Sequence, residues 1–203
     1  MDTPATNAED SRATAPRGSR VRTLAVMAIT AVVIVAVTFF VNQSKASADG
    51  ITNVSLSGAA TGAAPTVGEP APDFQATTVD GKTVRLSDFK GKPLWLTFGA
   101  SWCQPCRAEN PDIQAVYEKG KASGLEVLAI FISEDAAAVR EYTDRVGLTY
   151  QKVADPNTTI ASQYRILGIP SHFFIDSTGV LRQIKIGSLD QAGMEQALAG
   201  IRP

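Results

Sequence analysis

The feature that most restricts this chain is an arrangement around residue 100. An uncharged apolar run, Pro93–Gly99 (PLWLTFG), leads into cysteines at 103 and 106, and a helix-forming stretch follows from about Gln104 to Lys121. Such a run suits a central strand buried on both faces. Cys103 and Cys106 are the only cysteines in 203 residues. A structural disulfide gains most by closing a long loop. A tetrahedral metal site usually needs two further ligands, and the chain has one histidine, His172. These readings point to a pair that opens and closes. Half of a zinc ribbon has the same spacing, so a static disulfide or an incomplete metal site stays open beside it.

The pattern around the motif is α/β. Phe74–Thr78 and Lys82–Leu86 flank a Val79-Asp80-Gly81 turn and read as a hairpin. Leu125–Ile132 (LEVLAIFI) is a second apolar strand. Asp135–Val146 reads as a helix with Val139, Tyr142 and Val146 on one face. A short strand, Tyr150–Ala154, and a short helix, Thr158–Tyr164, come next. Strands His172–Ile175 and Val180–Ile186 are joined by the Asp176-Ser177-Thr178-Gly179 turn. The last helix is expected to start at a capping box, Ser188 with Gln191, and to carry the apolar stripe Met194, Ala197, Leu198 and Ile201. Strand–helix–strand–helix, then a hairpin and a helix, gives a three-layer α/β domain with a central mixed sheet. Pro111 should kink the helix that follows the cysteines.

The N-terminal part differs in kind. From Thr23 to Ser44 there is no charge, with LAVMAITAVVIVAVTFFV at 24–41. Eighteen to twenty-two helical residues reach roughly 27–33 Å, the hydrocarbon thickness of a bilayer. Arg12, Arg17, Arg20 and Arg22 precede it and Lys45 alone follows closely. The positive-inside bias therefore puts residues 1–22 in the cytoplasm as a disordered tail, 23–44 in the membrane as a signal anchor, and the rest outside. Ala46-Ser47-Ala48 has the form of a cleavage site, so an exported, cleaved form is the alternative, and a buried core helix is the bland one. Residues 45–70, rich in Gly, Ala, Ser, Thr and Pro, read as a flexible linker, leaving 71–203 as the domain. A formal net charge of −1 argues against nucleic acid as a partner.

Cys103 falls where strand gives way to helix. Unpaired amides and the helix dipole favour a negative group there, so a thiolate at 103 is made more acidic and reactive. Cys106 lies one turn on, on the same face, where the two sulfurs can meet. Pro105 falls in the first turn, where its missing donor costs nothing. In this cycle Cys103 attacks a substrate disulfide and Cys106 resolves the mixed disulfide.

The opening APDF at 71–74, DGKTVRLSDFKGKPLWLTF, WCQPCRAENP and GIPSHFFIDSTG stand in an order and spacing that resemble the TlpA/ResA-like branch of the thioredoxin superfamily, whose members are tethered to membranes. The resemblance covers Ala71 to Ile201. It implies a thioredoxin-like fold and a thiol–disulfide oxidoreductase without a cofactor. Its substrates would be disulfides of exported proteins such as apocytochrome c or a copper-site assembly factor, and its electrons would come from a membrane thiol carrier. It also implies a cis Ile169-Pro170 peptide facing the cysteines, with the Ile169 backbone free to pair with an extended substrate chain, and a Glu109 near the thiols that adjusts their acidity. Against that, Glu109 reads equally as a solvated first-turn acid. Trp102 reads either as a shield for the pair or as plain packing.

Three positions depart from the family pattern. Thr97 stands where cytoplasmic thioredoxins carry a buried aspartate, Gly99 where relatives often have an aromatic residue, and His172 where threonine is common. His172 reads as a titrating or ion-binding group, or as a packed, hydrogen-bonded strand histidine. Two other functions compete. A peroxidase of the peroxiredoxin type needs Pro-x-x-x-Thr/Ser-x-x-Cys, and those places hold Leu96 and Ala100. A Cu(I)-binding assembly protein would use Cys103, Cys106 and His172. The expectation is a monomeric, membrane-anchored protein-disulfide reductase.

Overall fold

The computed structural model describes residues 18–45, 50–60 and 62–202. The chain divides at Ala46/Ser47 into two units. The first contains helix α1, Gly18–Lys45, which begins within the expected tail and includes the whole expected span. Residues 1–17 of that tail lie outside the described residues. Among the described residues no helix is long and apolar enough to cross a membrane.

The second unit is the expected α/β domain. Its elements are β1 (Thr52–Asn53), β2 (Gln75–Thr77), β3 (Thr83–Arg85), β4 (Leu94–Gly99), α2 (Gln104–Gly120), β5 (Glu126–Ile132), α3 (Ala136–Val146), β6 (Gln151–Asp155), α4 (Thr159–Gln163), β7 (Gly168–Ile169), β8 (Ser171–Ile175), β9 (Leu181–Ile186) and α5 (Gln191–Ala199). The central sheet has five strands in the order β6-β5-β4-β8-β9. β4, β5 and β6 run parallel, while β8 is antiparallel to both β4 and β9. The sheet is thus mixed.

Strands β4 and β5 are apolar except at Thr97 and Glu126 because they cover two cores. On β4 and β5 side chains alternate between faces. Leu94, Leu96 and Phe98 join Leu128, Ile130 and Ile132 in one cluster, which also takes in both cysteines, α4 and the β2–β3 hairpin. Trp95 joins Val127, Ala129 and Phe131 in the other, beneath α2, α3 and α5. Each large side chain removed from water in this way stabilises the fold by roughly 1.5–3 kcal/mol.

α2 runs through Pro111 as a single element. Two local expectations are corrected. Val146 is 44% exposed, unlike Val139 and Tyr142, so α3 buries only the first part of its apolar face. The N-cap of α5 is Asp190, whose carboxylate accepts the Gly193 amide at 2.8 Å. Ser188 is occupied elsewhere: its amide and hydroxyl both donate to the Gly50 carbonyl, at 3.1 and 3.2 Å. That contact is part of a larger departure. Residues 50–58, expected to be free linker, are bonded to the domain, and β1 pairs antiparallel with β7.

Candidate active site

Cys103 is the N-cap of α2, with extended backbone (φ −79°, ψ 112°) and its sulfur accepting the Cys106 amide at 3.2 Å. β4 ends at Gly99, and the turn into α2 is held by Glu134. That carboxylate accepts the Ser101 amide at 2.7 Å and the Ser101 hydroxyl. Pro105 stands in the first turn, as its fixed φ favours. The two cysteines form a disulfide, with Cα atoms 5.3 Å apart. Gly99 faces this bond: a Cβ there would lie 3.5 Å from Cys106 Cβ and 3.6 Å from its sulfur.

The Ile169-Pro170 peptide is cis. It sits across from the pair, with Cys103 Sγ 3.9 Å from the Ile169 carbonyl oxygen. Ile169 is fully buried and Cys103 is 1% exposed. Trp102, the residue before Cys103, is 47% exposed.

Further along α2 lies a buried polar cluster. Glu109 is one turn beyond Cys106 and 4% exposed, which corrects the reading of a solvated acid. Its Oε2 accepts the Leu189 amide at 3.1 Å, and its Oε1 lies 3.4 Å from His172 Nε2. His172 is fully buried. Its register on β8 places it directly opposite Thr97 on β4, so the two side chains share a face. The Thr97 hydroxyl is 3.0 Å from His172 Nδ1, and the Trp95 indole donates to the same nitrogen at 3.3 Å. An indole N–H can only donate, so Nδ1 accepts and the ring proton sits on Nε2, facing Glu109. Among the described residues Nε2 has no hydrogen-bond partner, and the Glu109 oxygen is a neighbour without hydrogen-bond geometry.

This arrangement fits the reading of His172 as a packed, hydrogen-bonded strand histidine. It gives the copper alternative no support, because Nδ1 is taken by Trp95 and Thr97 and the two sulfurs are bonded to each other. Among the described residues no three His, Cys, Asp or Glu side chains are placed to hold a metal ion. Glu134 and the Glu109–His172 pairing were not singled out from the sequence. Both depend on contacts between elements far apart in the chain, and no local spacing marks them.

Residues 67–184, more than half of the chain, match the AhpC/TSA family. The chain belongs to the AhpC/TSA family. Within it, the chain is 36% identical over 137 residues to the thiol–disulfide oxidoreductase ResA of Geobacillus kaustophilus, covering 68% of this chain and 79% of that protein. It is also 36% identical over 141 residues to ResA of Oceanobacillus iheyensis, covering 68% and 73%. The crystal structure of a thioredoxin-family thiol:disulfide interchange protein from Chlorobium tepidum superposes with a TM-score of 0.61 at 29% identity, covering 70% of this chain and all of that one. This AhpC/TSA member is therefore a ResA-like protein-disulfide oxidoreductase with a thioredoxin-like fold. Leu96 and Ala100, where a peroxide cradle would need proline and a hydroxyl, are both buried in the core.

Proposed function

We propose that the protein is a membrane-anchored, extracytoplasmic reductant of protein disulfides, with Cys103 as nucleophile and Cys106 as resolving thiol. One observation carries this reading: the Cys103 sulfur caps α2 and lies 3.9 Å from the carbonyl of the residue before the cis-proline. An amide donor aimed at that sulfur favours its thiolate, the attacking form. The Ile169 backbone offers an extended chain a sequence-tolerant edge beside it.

The Cys103 thiolate attacks one sulfur of the substrate disulfide, forming a mixed disulfide and expelling a substrate thiolate. The Cys106 thiolate then attacks the Cys103 sulfur, releasing the second substrate thiol and closing Cys103–Cys106. Two electrons and two protons pass to the substrate. A dithiol carrier in the membrane restores the reduced pair by the same exchange in reverse. Trp102, Pro105, Glu109, Ile169 and Pro170 shape the site.

The anchor is the uncharged stretch 23–44, whose preceding arginines support a cytoplasmic N-terminus. In that orientation the domain meets exported proteins, with apocytochrome c cysteines as the candidate substrate. Superfamily C-x-x-C potentials run from roughly −270 to −120 mV, so the direction is tested by equilibration with glutathione, with a value at the reducing end expected. The deciding experiment is trapping. Cys106→Ser in cells should hold substrates as mixed disulfides at Cys103, and these should vanish in Cys103→Ser/Cys106→Ser. No adduct on Cys103 would overturn the mechanism.

A further inference from the structure

The docking edge beside Cys103 is already occupied by a segment of the same chain. Thr52 lies opposite Ile169 and Asn53 opposite Gly168, and the Val54 amide donates to the Leu167 carbonyl at 3.1 Å. Bonded and unbonded pairs alternate along an antiparallel ladder. With Val54–Leu167 bonded, Asn53–Gly168 is the unbonded pair and Thr52–Ile169 the next bonded one. Residue 52 therefore takes up the backbone groups of Ile169 that an incoming chain would use.

The segment is pinned at several points. Gly50 is tied to Ser188 as described, and Ile51 packs on Gly168 so closely that a Cβ there would stand 2.6 Å from Ile51 Cγ2. Val54 and Leu56 lean on the core around the cysteines. Further along, Thr158 Oγ1 accepts the Ser57 and Gly58 amides at 2.8 and 3.2 Å, and the Ser57 hydroxyl donates to the Asn157 carbonyl at 3.2 Å. Thr158 has φ +51°, unfavourable for a β-branched residue, in a position that aims its hydroxyl at the segment. Yet the attachment is light: β1 is two residues long, and Ile51 and Asn53 remain exposed.

We propose that residues 50–58 form a strap that occupies the Leu167–Ile169 edge as an intramolecular competitor and peels away when a substrate chain binds. The inference rests on the docking role given above to the Ile169 backbone. The strap also describes the chain that displaces it. From Ile51 to Gly58 it is uncharged and extended at the edge, with an aliphatic residue, Val54, two places beyond the one opposite Ile169. A substrate segment of that character competes best. Apparent affinity for it is lowered by the fraction of molecules whose strap is closed.

The test uses the full-length reduced protein and two variants that act on the strap alone. Thr52→Pro removes the amide that pairs with Ile169, and Ile51→Asp removes the apolar contact with Gly168. Loss of one bond of this kind should raise both the iodoacetamide reaction rate of Cys103 and kcat/KM for a disulfide-linked peptide by about tenfold, with faster exchange of the Ile169 amide. A synthetic peptide of residues 50–58 (GITNVSLSG) should return Thr52→Pro toward wild-type rates. Faster Ile169 exchange with unchanged alkylation and turnover would overturn the proposal, as would unchanged Ile169 exchange in both variants. If no form turns over the peptide while alkylation still rises in the variants, the strap stands and the reductase reading falls.

Discussion

Two acid–base pairs sit at opposite ends of β8. His172, near its start, faces Glu109 at 3.4 Å, with both side chains at most 3% exposed. Asp176, one residue past its end, meets Arg182 at 2.5 Å, with side chains 14% and 49% exposed. The shorter contact is the lesser one. Water and salt weaken the pair beside solvent, so it contributes little beyond its hydrogen bonds. The buried pair has no solvent to replace a lost partner, and truncating either side leaves polar atoms stranded. Glu109 also lies one helical turn beyond Cys106 on α2. Burial, rather than contact length, sets what each interaction contributes.

The sharpest way to break this comparison is His172→Leu. The change removes the acceptor of the Trp95 indole and the Thr97 hydroxyl, and it leaves Glu109 Oε1 facing hydrocarbon. Stability should fall by roughly 2–4 kcal/mol, read from the urea midpoint at an unchanged slope. A loss no larger than that of an exposed polar substitution would mean water reaches the cluster and the two ends of β8 are alike.

Glu109→Gln sharpens the comparison by keeping shape and removing charge. The Leu189 amide retains an acceptor, so the stability cost should be about 1 kcal/mol. The effect expected on chemistry is separate. A carboxylate near a thiol disfavours the thiolate, so if Glu109 acts on the cysteines the pH profile for their alkylation should move to lower pH without it. A profile that stays in place would make Glu109 a brace between α2 and the loop before α5, without influence on the sulfurs.

What the sequence disclosed and what it hid divide along a physical line. Cys103 as a helix cap, Pro105 in the first turn and the two-sided burial of Leu94–Gly99 are local: amide geometry and side-chain alternation act within a few residues, and composition carries them. The place of His172 follows from its register against Thr97, seventy-five positions away, and no spacing within either strand reveals it. The 50–58 segment was misread for a related reason. Its Gly, Ser, Thr and Ala content is that of a solvated linker, but backbone hydrogen bonds hold it, and any sequence can make those. Ser188 misled because its hydroxyl serves Gly50 rather than the helix whose cap, Asp190, lies two residues later. The final turn, Asp176 to Gly179, was read correctly since its bonds close within five residues.

The smallest effect belongs to that turn. Burial alone would raise the Asp176 carboxyl, but the Thr178 hydroxyl and Arg182, with the Val180 and Thr178 amides, outweigh it and hold the pKa at about 2, against an ordinary 3.8. A folded-state value below the unfolded one adds stability that is complete above about 3.8 and lost as pH falls through about 2. Asp176→Asn keeps one oxygen for the Thr178 and Val180 amides and gives up the charge, so at pH 7 it should cost roughly 0.5–1.5 kcal/mol. Thermal melts of wild type and variant should converge as the pH is lowered from 4 to about 2. High salt should narrow the gap at neutral pH, because the Arg182 share is screened. Peptide-disulfide turnover should be unaltered, since this end of β8 is remote from the cysteines. A gap that persists at pH 2 would show that geometry rather than charge holds the turn, and the contrast with Glu109 and His172 would then rest on burial alone.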